Sequence, residues 1–128
     1  MDGRKSQEDL IAKAVVDAAF KVHRRLGPGL LERVYEACLA YELESAGFRV
    51  ERQVPVPIVY GELSFDEGFR LDLLIEDTIV IELKAAEKSH PLWQAQLISY
   101  LKLTRKRIGF LINFHSPLFK QGIQRFAV

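Results

Sequence analysis

The sequence predicts an α/β fold in the order α-α-β-β-β-α-β-β, and three observations carry that reading. Apolar residues recur at helical spacing through the first third of the chain and again after Pro91. The segments between and after those stretches alternate in part or are rich in β-branched residues, as strands are. The late helical stretch stands alone between strands, so it crosses over from one strand to the next.

The elements follow in order. Ser6, with Asp9 three residues later, resembles a capping box that opens a helix running to about Arg25. Leu10, Ile11, Ala14, Val15, Ala18, Ala19 and Val22 form its expected buried face. Gly27-Pro28-Gly29 stops that helix, and a second is expected from about Leu30 to Ala46. Its apolar positions are Leu31, Val34, Tyr35, Cys38, Leu39 and Leu43, and Gly47 ends it in the usual C-terminal place. Phe48 to Tyr60 contains Pro55 and Pro57, which suits an edge or bulged strand. Gly61 to Gly68 reads as a polar turn region. Phe69 to Ile75 is a strand, Glu76-Asp77 a tight turn and Thr78 to Leu83 the next strand. Helical spacing returns over Pro91 to Leu103 through Leu92, Trp93, Leu97, Tyr100 and Leu101. Arg107 to Phe114 reads as a buried strand and Gly122 to Val128 as a short last one.

At 128 residues the chain is expected to be one domain, residues 1–128, large enough for a conventional core. Apolar residues are 48% and charged residues 27%, which excludes wholesale disorder. No run approaches the roughly 20 apolar residues of a membrane span. The N-terminal MDGRKSQEDL lacks the apolar stretch of a signal peptide. The one cysteine, Cys38, can neither close an internal disulfide nor frame a zinc site by itself. These points favour a reducing cytoplasm and no membrane partner. Charge is unevenly spread: residues 1–87 hold all 17 acidic residues and 11 basic ones, and residues 88–128 hold 7 basic residues and no acid. A polyanion could use the basic surface and a divalent cation the carboxylates; a fluctuation of composition is the simpler account of the charge alone.

The informative segment runs from Arg70 to Lys84. Asp72 interrupts one apolar strand, and Glu82 and Lys84 end the next. Residues two apart in a strand point to one face, so Glu82 and Lys84 project together. The turn at Glu76-Asp77 folds Asp72 back towards Glu82. Carboxylates placed together repel unless a cation or proton lies between them, and hard oxygen donors suit Mg²⁺ above all. An amine beside them can orient a water that attacks phosphorus. The competing reading is a strand-end salt bridge. Two further pairs are candidates: Glu32 with Tyr35 at the start of the second helix, and Gln96 with Tyr100 one turn apart on the late helix. Alone, Glu32 simply complements a helix dipole, and Gln96 and Tyr100 an ordinary helix face.

Taken together, Asp72, the Glu82-Leu83-Lys84 triplet and the element order resemble the PD-(D/E)XK nuclease superfamily. Gln96-x-x-x-Tyr100 resembles the extra motif of its RecB-like branch, and Gly29-x-x-Glu32-x-x-Tyr35 the signature of its small GxxExxY family. The resemblance spans roughly Leu26 to Phe126. It implies a restriction-endonuclease-like αβββαβ core with a mixed sheet, one extra N-terminal helix and a short C-terminal strand. It further implies a metal-dependent nuclease hydrolysing nucleic-acid phosphodiester bonds, with DNA as the favoured substrate. Glu32, Asp72 and Glu82, with the Leu83 carbonyl, would hold Mg²⁺ or Mn²⁺; Lys84 would activate or position water. Gln96 and Tyr100 would support the site or the scissile phosphate. One departure is Leu71, where the motif's name has proline. The alternative is a nucleic-acid-binding or regulatory subunit that keeps the fold with little turnover. A homodimer or larger assembly would supply the sequence-reading surface the chain lacks.

Weaker candidates remain. Lys102, Arg105, Lys106 and Arg107 cluster at the end of the late helix, where they complement the dipole or contact a nucleic-acid backbone. His23, His90 and His115 have no metal-ligand spacing, although His90 precedes the late helix and could approach the site. Trp93 and Cys38 are expected to pack in the core.

Overall fold

The computed structural model describes residues 3–128. It has helices α1 (Gly3–Leu26), α2 (Glu32–Ser45), α3 (Pro91–Thr104) and α4 (Phe119–Gly122), and strands β1 (Val50–Tyr60), β2 (Leu63–Ile75), β3 (Ile79–Lys84), β4 (Ile108–Asn113) and β5 (Ile123–Ala127). The strands form one mixed sheet in the order β1-β2-β3-β4-β5. Only β3 and β4 are parallel, because α3 carries the chain back across the sheet between them. Among the described residues no helix is long and apolar enough to cross a membrane.

Each face of the sheet has its own core. On one face Leu73, Ile75, Ile79, Ile81, Leu83, Ile108, Phe110 and Ile112 pack against Ile11, Val15, Ala19, Tyr35, Leu39 and Leu43 of α1 and α2. On the other, Leu71, Leu74, Val80 and Leu111 meet Leu97 and Leu101 of α3. Covered on both sides, β3 and β4 are nearly unbroken apolar runs. Each fully buried Leu or Ile contributes on the order of 1.5–3 kcal/mol to holding these layers together. A polar residue in β3 is therefore costly, and Glu82 is one.

Several expectations are corrected. α1 already runs from Gly3, so Ser6 lies inside the helix and does not cap it. Leu10 and Leu92 are exposed at 64% and 53% rather than buried, on the sides of α1 and α3 turned from the sheet. Leu31, exposed at 62%, precedes α2 as its extended N-cap, because that helix starts at Glu32 and not at Leu30. The supposed turn region 61–68 is mostly strand. β1 and β2 form one long hairpin that closes between Tyr60 and Leu63, with Gly61 at φ 59 in the turn. A glycine in the left-handed region is what a two-residue hairpin turn requires. The register shifts between Val56 and Ile58, so Pro57 sits in the irregularity of an edge strand, where no ladder donor is missed. α4 is a single turn that no apolar period announces.

Candidate active site

The strands that carry the acidic residues separate just where those residues occur. β2 and β3 pair from Ile75–Ile79 as far as Leu73–Ile81. Leu73 packs on the α1/α2 face and Leu71 on the α3 face, whereas residues two apart in a regular strand share a face. The backbone therefore turns at Asp72. Opposite it on β1, Gln53 is held at φ 52, so both strands of the hairpin are irregular here.

Side chains replace the lost ladder. Leu83 N–H donates to Asp72 Oδ2 (2.8 Å), and Asp72 N–H donates to Glu82 Oε1 (3.3 Å). This exchange sets the two carboxyl groups side by side. Glu82 is 8% exposed. Burial, then the charge of Asp72, pushes its carboxyl up to about 8. Asp72 is also raised, chiefly by burial, although the Leu83 N–H bond acts the other way. Lys84 shares Glu82's side of β3, and its Nζ stands 5.4 Å from the centre of the Trp93 ring. An aromatic face attracts an ammonium group and fixes its direction. Trp93 is half-buried: it packs against the α3-face core as expected and borders the site as well.

Helices supply the remaining walls. Glu32 opens α2, and its carboxyl is raised by burial and by the charge of Asp72, so it faces the pair. Tyr35 does not join it. That residue is wholly buried and stacks on Phe114 at 4.6 Å. Its hydroxyl donates to Gly27 O (2.6 Å) and accepts from Leu30 N–H (3.1 Å). Tyr35 therefore locks the loop that delivers Glu32. On α3, Tyr100 stacks on Phe69 at 4.2 Å; burial and then the charges of Glu82 and Asp72 raise its hydroxyl's pKa. Gln96 is half-buried one turn before it and makes none of the site's hydrogen bonds.

A second network lies outside what the sequence singled out. Glu36, 7% exposed and one turn after Glu32, accepts two bonds from Arg52 (3.2 and 3.1 Å) and one from Gln53 Nε2 (2.5 Å). Gln53 also reaches Asp72 Oδ1 (3.4 Å). The one available signal was an acid two turns before the end of an apolar helix face; the partners on β1 need the fold.

The expected carboxylate trio is not a closed set: among the described residues no three Asp, Glu, His or Cys side chains converge tightly enough to hold a metal ion. Asp72 and Glu82 form the close pair and Glu32 stands off. The donors present still suit a hard divalent cation, being crowded carboxylates whose raised pKa values reflect a repulsion that a cation would relieve. The basic cluster lies elsewhere. Arg105 ends α3 and Arg107 precedes β4, at the end of the parallel strands opposite Lys84. Lys106 pairs with Asp77 (3.1 Å) and Arg107 with Glu8 (3.6 Å). His90 caps α3 by accepting from Leu92 N–H (3.0 Å), and His23 bonds Ser116 O (2.7 Å). Cys38 packs against the α1/α2 core as expected.

A family model of the PD-(D/E)XK nuclease superfamily matches residues 9–126. The chain belongs to the PD-(D/E)XK nuclease superfamily. The match reaches every element from α1 to β5, and so covers the surroundings of Asp72 and Glu82. Neither a curated protein nor a solved structure matches the chain. Members of the PD-(D/E)XK superfamily are generally metal-dependent nucleases.

Proposed function

We propose that this chain is a metal-dependent nuclease that hydrolyses DNA phosphodiester bonds with Mg²⁺ or Mn²⁺, in the GxxExxY family of the RecB-like branch. The observation that carries the reading is the paired exchange between Asp72 and Glu82 at the end of β3, with Lys84 on the same side. Asp72, Glu82 and the Leu83 carbonyl would hold the cation, with Glu32 approaching from α2. When bound, the cation would supply Lewis-acid polarisation of the phosphate and a more acidic water. Lys84 positions or activates the attacking water and offsets charge developing on the phosphate oxygens. Tyr100, with Gln96 behind it, steadies the scissile phosphate. Water oxygen bonds to phosphorus, the bond to one sugar oxygen breaks, and that oxygen leaves with a proton.

The test is cleavage of single-stranded, duplex and branched DNA, and of RNA, with Mg²⁺, Mn²⁺ or EDTA. Cleavage with metal, none in EDTA and none by Asp72→Asn is expected. In parallel, Mg²⁺ or Mn²⁺ should raise the melting temperature of the parent and not of Asp72→Ala. Binding of nucleic acid without cleavage under any metal would instead favour a non-catalytic subunit that retains the fold.

A further inference from the structure

A cavity of about 510 Å³ opens between the start of α3, the end of β4, and α4 with β5. Its volume lies within the roughly 300–1,000 Å³ typical of small-molecule sites. Trp93 belongs both to the cavity and to the border of the carboxylate site: it lines the former and carries the Lys84 ammonium over its ring, whereas Lys84 itself does not line the cavity.

The lining says what would be welcome there. It contains no lysine or arginine, and its one acidic side chain is Glu87. A phosphate would find a carboxylate and neither lysine nor arginine to hold it, so the cavity is not built as an extension of a backbone-binding track. What it offers is polar and largely planar: an indole, two imidazoles and several amides. Gln94 Nε2 donates to Gln124 Oε1 (3.2 Å), tying α3 to β5. That bond leaves the Gln94 carbonyl and the Gln124 amide group side by side, one acceptor and one donor. Asn113, by contrast, is used up on Ala86 and His115 and serves as a rigid floor. A flat aromatic wall with an adjacent donor and acceptor is what a nucleobase requires, through its face and its edge.

Resting on the nuclease reading above, we infer that this cavity receives one unpaired nucleobase of the strand whose backbone crosses Lys84, stacked on Trp93 and held at its edge by Gln94 and Gln124. The preferred substrate then has a single-stranded or frayed segment at the cleavage point, since a base inside a duplex stays stacked on its neighbours.

Trp93 is the protein's one tryptophan, so its emission reports the cavity directly. The full chain in EDTA is titrated with short single strands of DNA and RNA, with the same strands carrying an abasic position opposite the site, and with free nucleoside monophosphates. Binding is followed separately by anisotropy of a label on the strand. Intact strands should bind and quench Trp93, and abasic strands should bind without quenching, with affinity lower by roughly 5- to 100-fold for the lost stack. Gln124→Leu, with its melting temperature checked, should weaken quenching several-fold while leaving the abasic strand's affinity unchanged. The abasic comparison uses the parent protein and needs no variant to fold. Strands that bind with Trp93 emission unchanged, or abasic strands that quench equally, overturn this inference and leave the nuclease reading intact. A free mononucleotide that quenches as tightly as a strand also overturns it. No anisotropy change with DNA or RNA overturns both.

Discussion

Glu82 is a carboxyl buried in an apolar strand beside a second carboxylate, and its raised pKa follows from that company. Its folded-state pKa of about 8 lies above the ordinary 4.5, so between those values the folded chain holds a proton that the unfolded chain has released. Stability from this group is complete below about pH 4.5 and is lost as pH rises through about 8. In EDTA, the melting temperature should therefore fall between pH 5 and 8, at roughly 3–5 °C per kcal/mol for a chain of this size. Glu82→Gln should flatten that slope, as should saturating Mg²⁺, which replaces the proton. A slope untouched by the substitution would mean that another group titrates. Lys84→Ala should cut single-turnover cleavage by roughly 10²- to 10⁴-fold with little change in strand affinity; a variant that cleaves like the parent refutes the role given to Lys84. Asp72, Glu82 and Lys84 were legible in the sequence because a period of two and one tight turn suffice to bring them together. Glu36, Arg52 and Gln53 were not, because their meeting depends on a left-handed residue in β1 that no pattern of polarity reveals.

Elements deliver these side chains, and the loop between α1 and α2 does so through one hydroxyl. Gly27 and Gly29 adopt φ of 69 and 102, which only glycine takes without strain, and Tyr35 closes the loop with two hydrogen bonds from within the core. Tyr35→Phe keeps the ring on Phe114 and leaves the half-buried Gly27 carbonyl and the Leu30 amide short of a partner. Denaturant unfolding should show a loss of about 1–3 kcal/mol at unchanged m-value. A loss near zero would show that water reaches the loop and that Tyr35 acts through packing alone. The helices, the parallel crossover and the edge character of β1 were readable because each rests on period, proline or glycine within a short window. The long β1–β2 hairpin was hidden by Asp66, Glu67 and Gly68, polar residues exposed on an arm that extends beyond the core and so lacks an apolar face to declare it. Gly68 stays a glycine there because a Cβ would come within 2.3 Å of the Ile58 side chain.

At the scale of the whole molecule, the acid-free segment after residue 87 is less of a free basic surface than its charge suggests. Three of its cations are engaged by the acid-rich part: Lys106 with Asp77, Arg107 with Glu8 and Arg125 with Asp9 (3.5 Å). Lys102 and Arg105 are exposed at the end of α3 and make no such pairs. They lie at the start of β4, whose six residues separate that end from the level of Lys84 by roughly 17–20 Å at about 3.3 Å each. At about 3.4 Å per nucleotide step, a strand cut near Lys84 reaches Lys102 and Arg105 only if it continues for roughly five or six nucleotides. Reversing both charges, Lys102→Glu with Arg105→Glu, should therefore weaken long strands and spare strands that stop short of that reach. For the long strands, each lost phosphate contact should lower the dependence of log K on log salt by about 0.7–0.9. Cleavage at saturating substrate should be unchanged, because neither residue approaches the carboxylate pair. Titrations of both strand lengths across a salt series decide the matter. Equal loss for short and long strands would place the backbone track elsewhere, and no change in salt dependence would remove this end of α3 from the nucleic-acid surface altogether.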